Sequence, residues 1–395
     1  MKTLLPRDAI APAEFDSRVH FGEGTLRLLS ESLAHLAVNR VFFVVDEAAY
    51  TASNAAAEIE GALAGRQSSR WAGFAPNPKA EDVARGLRLL RDFQADVVLA
   101  FGGGTAIDLG KLIAMFAAQR GAIDEFITGK TPLAPTALPL VAIPTTAGTG
   151  SEATHFAVVH LEGHKYSVAH SLLLPRVAIV DSLLTQNLPA AITATTGLDA
   201  FCQSIESIWA VGATEGSVAD AKRSLELSWR HLVSAVLAPT PEDRLRMCEA
   251  AHLAGRAINV SKTTAPHALS YRITSKFGVA HGSAVAATLS ALLKYNANLT
   301  DADCQDPRGT TYVRNRISTI LRLVDAADVD DGCRKIEAFV SATGNPASLA
   351  AAGITTDDDL HDIIRSVNAE RMSNNPRRLD PVELESYLRC AGSAV

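Results

Sequence analysis

The chain has 395 residues, 47% of them hydrophobic and 20% charged, a balance that excludes a disordered protein and suffices for two domains with separate cores. Its formal net charge of -6, with no run of like charges, gives no global attraction for nucleic acid or an anionic membrane, so an anionic ligand must be held by local groups. Five scattered cysteines, odd in number and never in a C-x-x-C pair, argue against a disulfide framework and a zinc ribbon.

The stretch "MKTLLPRDAIAPAEF" is broken by Pro6, Arg7 and Asp8 before a signal-peptide core can form, and no segment approaches the roughly 20 apolar residues of a membrane helix. The expectation is a cytoplasmic protein with reduced thiols. Next, "RVFFVVD" (40–46), an Ala-rich helix, "SRWAGF", the amphipathic "AEDVARGLRLLRDF" and "DVVLAFGGG" (96–104) alternate strand and helix. That alternation predicts a parallel α/β sheet. A helix from about Thr105, the strand "LPLVAIP" (138–144), a β-hairpin around Gly163 (155–170) and a last strand "RVAIVD" (176–181) complete it. From Pro189 onward only helical spacing remains. The predicted organisation is an α/β domain over 1–185 and an all-α domain over 186–395, with the boundary within 183–188 and a cleft between the two.

In "VVLAFGGGTAIDLGK" a buried strand runs into Gly102, Gly103 and Gly104, and Thr105 stands where it can cap the next helix. Glycines admit an anion close to the backbone, and a helix N-terminus offers unpaired N–H groups, so the stretch suits a pyrophosphate as well as a plain tight turn. A second loop, "AIPTTAGTGSEAT" (142–154), leaves another buried strand, and two such loops would border one crevice. Asp46 ends the first strong strand, where a carboxylate can bond an adenosine ribose and repel a 2′-phosphate, favouring NAD(H) over NADP(H), or can simply cap a helix.

In "GLDAFCQSIES" (197–207), Asp199 and Gln203 are four apart and share one helix face. His267 and His281, in "APHALSYRITSKFGVAHGSAV", supply two more ligand-type side chains. A metal centre and ordinary hydrogen-bonded core residues are both open on spacing alone.

With "PNP" (76–78), "GGGTAIDLGK" (102–111), "PTTAGTGSE" (144–152), "GLDAF" (197–201) and "HALSYRITSKFGVAHG" (267–282) in this order, the chain resembles the iron-containing alcohol dehydrogenases, the group III metal-dependent dehydrogenases. The resemblance spans nearly the whole chain. It implies the dehydroquinate synthase-like fold, an α/β nucleotide-binding domain followed by an all-α metal-binding domain. It implies pyrophosphate contacts at Gly103 and Gly104, further cofactor contacts at Asp108, Lys111, Thr145, Thr146 and Thr149, and a basic residue near the nicotinamide at Lys165. Metal ligands are implied at Asp199, His267 and His281, with Fe²⁺ first and Zn²⁺ or Mn²⁺ open, and so is a homodimer or larger assembly. Two positions depart from the family pattern. Gln203 replaces a histidine ligand, and its amide oxygen is a neutral but harder donor. Tyr271 replaces a histidine associated with proton transfer, and its ordinary pKa near 10 makes it a slower shuttle.

"RAINVSKTTAPH" puts Lys262, Thr263 and Thr264 just before His267 and Arg256 two turns earlier, with Arg272 after it and "SNNPRR" (373–378) adding Asn374, Asn375 or Arg377. A lysine with two hydroxyls suits the three oxygens of a phosphonate. Together with Gln203, this stretch most resembles the phosphonoacetaldehyde-reducing branch of the family, which implies reduction to 2-hydroxyethylphosphonate by NAD(P)H. Rival readings are a dehydrogenase for glycerol, lactaldehyde or another small alcohol, a lyase of the dehydroquinate synthase type, and a NAD-binding protein that lost its metal through Gln203.

Overall fold

The computed structural model describes residues 3–4, 18–367 and 372–391. The chain divides into two compact units, Met1–Leu188 and Pro189–Val395, a few residues beyond the boundary at 185 read from sequence.

In the first unit the described strands are β1 (Thr3–Leu4), β2 (Arg18–Phe21), β3 (Arg40–Val45), β4 (Gln67–Trp71), β5 (Val97–Gly102), β6 (Leu140–Pro144), β7 (Phe156–Leu161), β8 (His164–Ala169) and β9 (Val177–Val180). Its helices are α1 (Leu29–His35), α2 (Glu47–Ala52), α3 (Ala56–Leu63), α4 (Ala80–Phe93), α5 (Gly104–Ala117) and α6 (Ile123–Ile127). Among the described residues, seven strands form one sheet in the order β1-β2-β9-β6-β5-β3-β4, parallel except for the β1–β2 pair. The sequence reading missed β2, which is four residues long and only half-buried, so it has neither the length nor the apolar run of a central strand. The predicted hairpin is β7–β8, a separate two-stranded sheet.

Period-2 alternation explains how one strand serves two cores. Val41, Phe43 and Val45 point to the face covered by Leu29, Leu33 and Ile59. Phe42 and Val44 point to the other, against Val83 and Leu87 of α4 and Leu112 of α5. The chain leaves β3 through α2 and α3 on the first face and leaves the neighbouring β5 through α5 on the second. Adjacent strands whose connections depart to opposite faces make a topological switch point, and a crevice opens beyond their carboxyl ends.

The described residues of the second unit form no strand, only an isolated bridge between Cys304 and Arg377. Its helices are α7 (Ala190–Trp209), α8 (Glu215–Leu237), α9 (Pro241–Ser261), α10 (Ala265–Phe277), α11 (His281–Ala297), α12 (Thr310–Leu323), α13 (Val329–Ala342), α14 (Asp357–Arg365) and α15 (Pro381–Cys390). Helix α7 packs against α8, α9 and α11, and every residue from Gly197 to Trp209 is buried. Phe201, Trp229 and Phe339 form an aromatic cluster on one side, with Phe339 4.7 Å from each of the other two ring centroids. A polar residue on so enclosed a helix is costly unless bonded. Thus the Ser204 hydroxyl meets that of Ser224 at 2.7 Å, and Ser261 donates to the Ser207 hydroxyl at 2.8 Å.

Candidate functional site

At the switch point of the first unit, Asp46 and Gly102 are in contact: Asp46 N donates to the Phe101 carbonyl at 2.9 Å, and a β-carbon on Gly102 would lie 2.8 Å from Asp46 Cβ. Gly102 has φ +146°, a conformation that side-chain-bearing residues rarely adopt. The second loop reaches the same place. Thr145 N donates to the Gly102 carbonyl at 3.0 Å, and added β-carbons on Gly103 and Gly104 would meet Thr146 at 3.4 Å and Thr149 at 2.8 Å. The two loops named from sequence therefore share one crevice edge at the start of α5, where free N–H groups and the helix dipole favour an anion.

The Thr105 cap is not formed, and several of the other named side chains already have partners within the unit. Helix α5 is capped by Gly103, and the Thr105 hydroxyl instead accepts from Asn77 N at 3.3 Å, joining the "PNP" turn to the glycine turn. Asp46 does cap a helix, its Oδ1 accepting from Ala49 N at 3.1 Å. Asp108 and Lys111, expected to touch the cofactor, are engaged inside the unit. Lys111 Nζ donates at 2.8 Å to each of the Thr154 carbonyl, the Thr154 hydroxyl and the Phe156 carbonyl, and Asp108 accepts from the Ser151 hydroxyl and from Val158 N. They tie the start of β7 to α5. Burial is the main reason the Lys111 ammonium falls to about 8 and the Asp108 carboxyl rises above its ordinary value. Lys165 lies half-buried on β8, paired in register with His160.

In the second unit, Asp199, His267 and His281 converge, with one ligand atom from each within 4.8 Å of the others. Asp199 comes from the middle of α7, His267 from the first turn of α10 and His281 from the first residue of α11. His267 Nε2 is 3.1 Å from Asp199 Oδ1, and the two imidazole centroids are 5.4 Å apart. The Gln203 side chain donates to Asp199, while its Oε1 is buried and accepts no hydrogen bond. A half-turn of the amide exchanges its two atoms, so that oxygen can join the carboxylate and the imidazoles. One carboxylate, two imidazoles and an amide oxygen make a donor set that fits a divalent first-row ion such as Fe²⁺, Mn²⁺ or Zn²⁺.

The electrostatics agree with that fit. Burial alone opposes a charged His267, yet the Glu206 and Asp199 carboxylates hold its pKa up at about 9. Asp199 is also penalised by burial, but the two histidines and Gln203 keep it below the ordinary carboxylate value. A metal entering here would displace the proton between Asp199 and His267. Tyr271 stacks on His281, with centroids 6.1 Å apart and planes at 8°.

Glu206 was missed in the sequence. It is fully buried on α7, its Oε1 against His267 Nδ1, and its Oε2 accepting from Thr264 N at 2.7 Å and the Thr264 hydroxyl at 2.9 Å. The signal was available, for an acid seven residues after Asp199 returns to the same helix face.

The expected anion residues separate. Lys262 is exposed, with Nζ 3.4 Å from the Asn259 carbonyl, and Thr263 is half-buried. Thr264 is buried, donating to Glu206 and accepting from the Trp209 indole at 2.9 Å, so its hydroxyl is structural. Arg256 pairs with Asp220 at 2.9 Å and Arg272 with Asp362 through two nitrogens. Asn375 is fully buried, bonded to Asn296 and the Arg377 carbonyl, and Arg377 pairs with Asp303 and Glu383. Asn374 bonds the turn around Lys262, its Nδ2 donating to the Ser261 and Thr263 carbonyls at 2.9 Å each.

Known proteins share both halves of this arrangement. Residues 16–182 match the family described as iron-containing alcohol dehydrogenase, and residues 193–391 match the C-terminal part of the Fe-containing alcohol dehydrogenase family. A phosphonoacetaldehyde reductase of Streptomyces viridochromogenes is 35% identical over 325 residues, 78% of this chain and 79% of that protein. A long-chain-alcohol dehydrogenase of Geobacillus thermodenitrificans is 33% identical over 283 residues, 71% of this chain and 70% of that protein. Among solved structures, a sulfoacetaldehyde reductase from Bifidobacterium kashiwanohense in complex with NAD+ superposes with a TM-score of 0.86 at 27% identity, covering 99% of this chain and 100% of that one. With its glycine crevice, its cluster of Asp199, His267 and His281, and both family matches, the chain belongs to the iron-containing alcohol dehydrogenases, a family of oxidoreductases.

Proposed function

We propose that the chain reduces phosphonoacetaldehyde to 2-hydroxyethylphosphonate with hydride from NADH, one proton being taken up for each aldehyde reduced. The observation that carries this reading is the backbone of Lys262. Its φ of 61° and ψ of 179° fall in a region used almost only by glycine, at a cost of about 1–3 kcal/mol. Such strain persists where the surroundings over-determine it. Here Asn374 bonds the carbonyls on either side of Lys262, and Gly212 N in turn donates to Asn374 Oδ1 at 2.9 Å. The strained residue is an exposed cation five positions before His267. Two relatives are named for acetaldehydes bearing an oxyanion group, phosphonate in one and sulfonate in the other.

In this reading Lys262 and the Thr263 hydroxyl hold the phosphonate through charge-assisted bonds. Asp199, Gln203, His267 and His281 hold the metal, with Fe²⁺ the first choice. When bound, the metal supplies a Lewis acid for a carbonyl oxygen and the nicotinamide supplies hydride. Gly102, Gly103, Gly104, Thr145, Thr146 and Thr149 cradle the pyrophosphate, and Asp46 bonds the ribose and disfavours NADPH. Lys165 stands near the nicotinamide. Tyr271 hands a proton to the product oxygen.

NADH oxidation on phosphonoacetaldehyde beside propanal, in wild type and Lys262→Ala, tests the proposal. Loss of one charged contact of about 1.5–3 kcal/mol predicts a KM for the phosphonate about 10- to 100-fold higher, with propanal little changed. Equal losses on both aldehydes, or a wild type that prefers propanal, would overturn it.

A further inference from the structure

Glu206 occupies a position that the chemistry above does not use. It is fully buried on α7, seven residues after Asp199, and each of its oxygens has its own partner. Oε2 takes the backbone N–H and the hydroxyl of Thr264, the residue before α10, and Oε1 faces Nδ1 of His267. The Trp209 indole donates to the Thr264 hydroxyl at 2.9 Å, which turns that hydroxyl's proton toward Glu206. With Oε2 taken up by the two Thr264 donors, Oε1 is left to accept from His267 Nδ1, which puts a ring proton on that nitrogen. A neutral imidazole protonated on Nδ1 has its lone pair on Nε2, the atom that faces Asp199 at 3.1 Å.

We propose that Glu206 is the positioning residue of the metal centre, fixing both the rotation of the His267 ring and the tautomer that leaves Nε2 as a ligand. The inference rests on the metal reading of Asp199, Gln203, His267 and His281. The isosteric Gln cannot meet both partners as Glu206 does. Gln at 206 has an acceptor at only one end of its amide. With its oxygen toward the two Thr264 donors, its NH₂ faces His267 Nδ1 and drives the ring proton to Nε2, blocking the ligand atom. With its oxygen toward His267, its NH₂ meets the buried Thr264 N–H, and two donors face each other with no acceptor between them.

The experiment measures dissociation constants for Co²⁺ and Zn²⁺ against a competing chelator, with the ligand-field spectrum of the Co²⁺ protein and NADH binding by fluorescence. Variants are E206Q, the milder E206D, which keeps the charge but shortens its reach, and W209F, which loosens the same corner without touching the carboxylate. The expected result is about 10- to 100-fold weaker metal binding in E206Q, about 10-fold in E206D, an altered Co²⁺ spectrum in both, and NADH affinity within about two-fold. W209F is expected to melt earlier with an unchanged Co²⁺ spectrum. Metal affinity and spectrum in E206Q and E206D like those of wild type would overturn the proposal, as would a loss in W209F equal to that in E206Q. A wild type that binds no metal would instead remove the metal reading itself.

Discussion

Gly282, the second residue of α11, lies so close to the backbone of α7 that a β-carbon on it would sit 1.9 Å from the Thr195 carbonyl oxygen. The same β-carbon would be 3.0 Å from Asp199 N, so the contact that seats α11 is also the one that brings His281 to Asp199. Gly282→Ala must push the helix start away. Overpacking of this kind costs about 1–3 kcal/mol or more, and the metal content of the purified protein is expected to fall with it. A variant that melts earlier but keeps wild-type metal content would show that His281 is not held by this contact.

Gln203 makes a second prediction, about which metal binds. Gln203→His supplies a nitrogen donor and is expected to raise affinity for Zn²⁺ relative to Mn²⁺, whereas Gln203→Ala lowers affinity for both. Competitive binding followed by metal analysis reads the ratio. An unchanged ratio in Gln203→His would mean that the side chain at 203 does not reach the ion.

Backbone strain at Lys262 predicts a change that helps stability and harms function. Lys262→Gly removes the strain and is expected to raise stability by about 1 kcal/mol, the gain being trimmed by the greater freedom of glycine in the unfolded chain. It also removes the charge, so kcat/KM for phosphonoacetaldehyde is expected to fall as in Lys262→Ala. Thermal unfolding and steady-state kinetics on one preparation measure both; a variant no more stable than Lys262→Ala would contradict the strain argument.

Asp46→Asn keeps an oxygen to cap α2 while removing the charge beside the crevice. The ratio of kcat/KM for NADPH to that for NADH is expected to rise about ten-fold, since one repulsion of about 1.4 kcal/mol is lost. No movement in the ratio would assign Asp46 to the helix cap alone.

Asp243 links stability to acid pH. Its burial disfavours the charge, but bonds from Thr240, His231 and Ser234 outweigh that and hold its pKa at about 2, below the ordinary 3.8. A depressed carboxyl contributes stability above its unfolded pKa and loses it as pH falls through the folded one. The window is therefore about pH 4 down to 2, and the contribution roughly 2 kcal/mol. The stability difference between wild type and Asp243→Asn should narrow across that window, and a difference that stays constant would argue against the linkage.

Much of this protein was legible before any fold was known, because the signals are local. Short, continuous apolar and β-branched runs marked β3, β5 and β6, helical spacing marked α4 and the whole second unit, and the four-residue step from Asp199 to Gln203 set two side chains on one face. The short β2 escaped because four half-buried residues carry no periodic signal. Thr105 was misread as a cap because a threonine after glycines looks the same whether its hydroxyl meets its own helix or, as here, Asn77.

The sequence by itself determined the order of elements, the glycine turn, and the presence of an acid, an amide and two histidines of ligand type. Tertiary structure alone decided what each polar side chain does. Lys111 meets Thr154 and Phe156, 43 and 45 residues away, and is engaged before any cofactor arrives. Arg256, Arg272 and Arg377 are paired with acids that sequence distance hides, and Glu206 finds His267 across 61 residues. The physical reason is one of range. Backbone periodicity depends on neighbours a few residues apart, whereas the state of a buried charge depends on which partners the folded chain brings within about 3 Å of it.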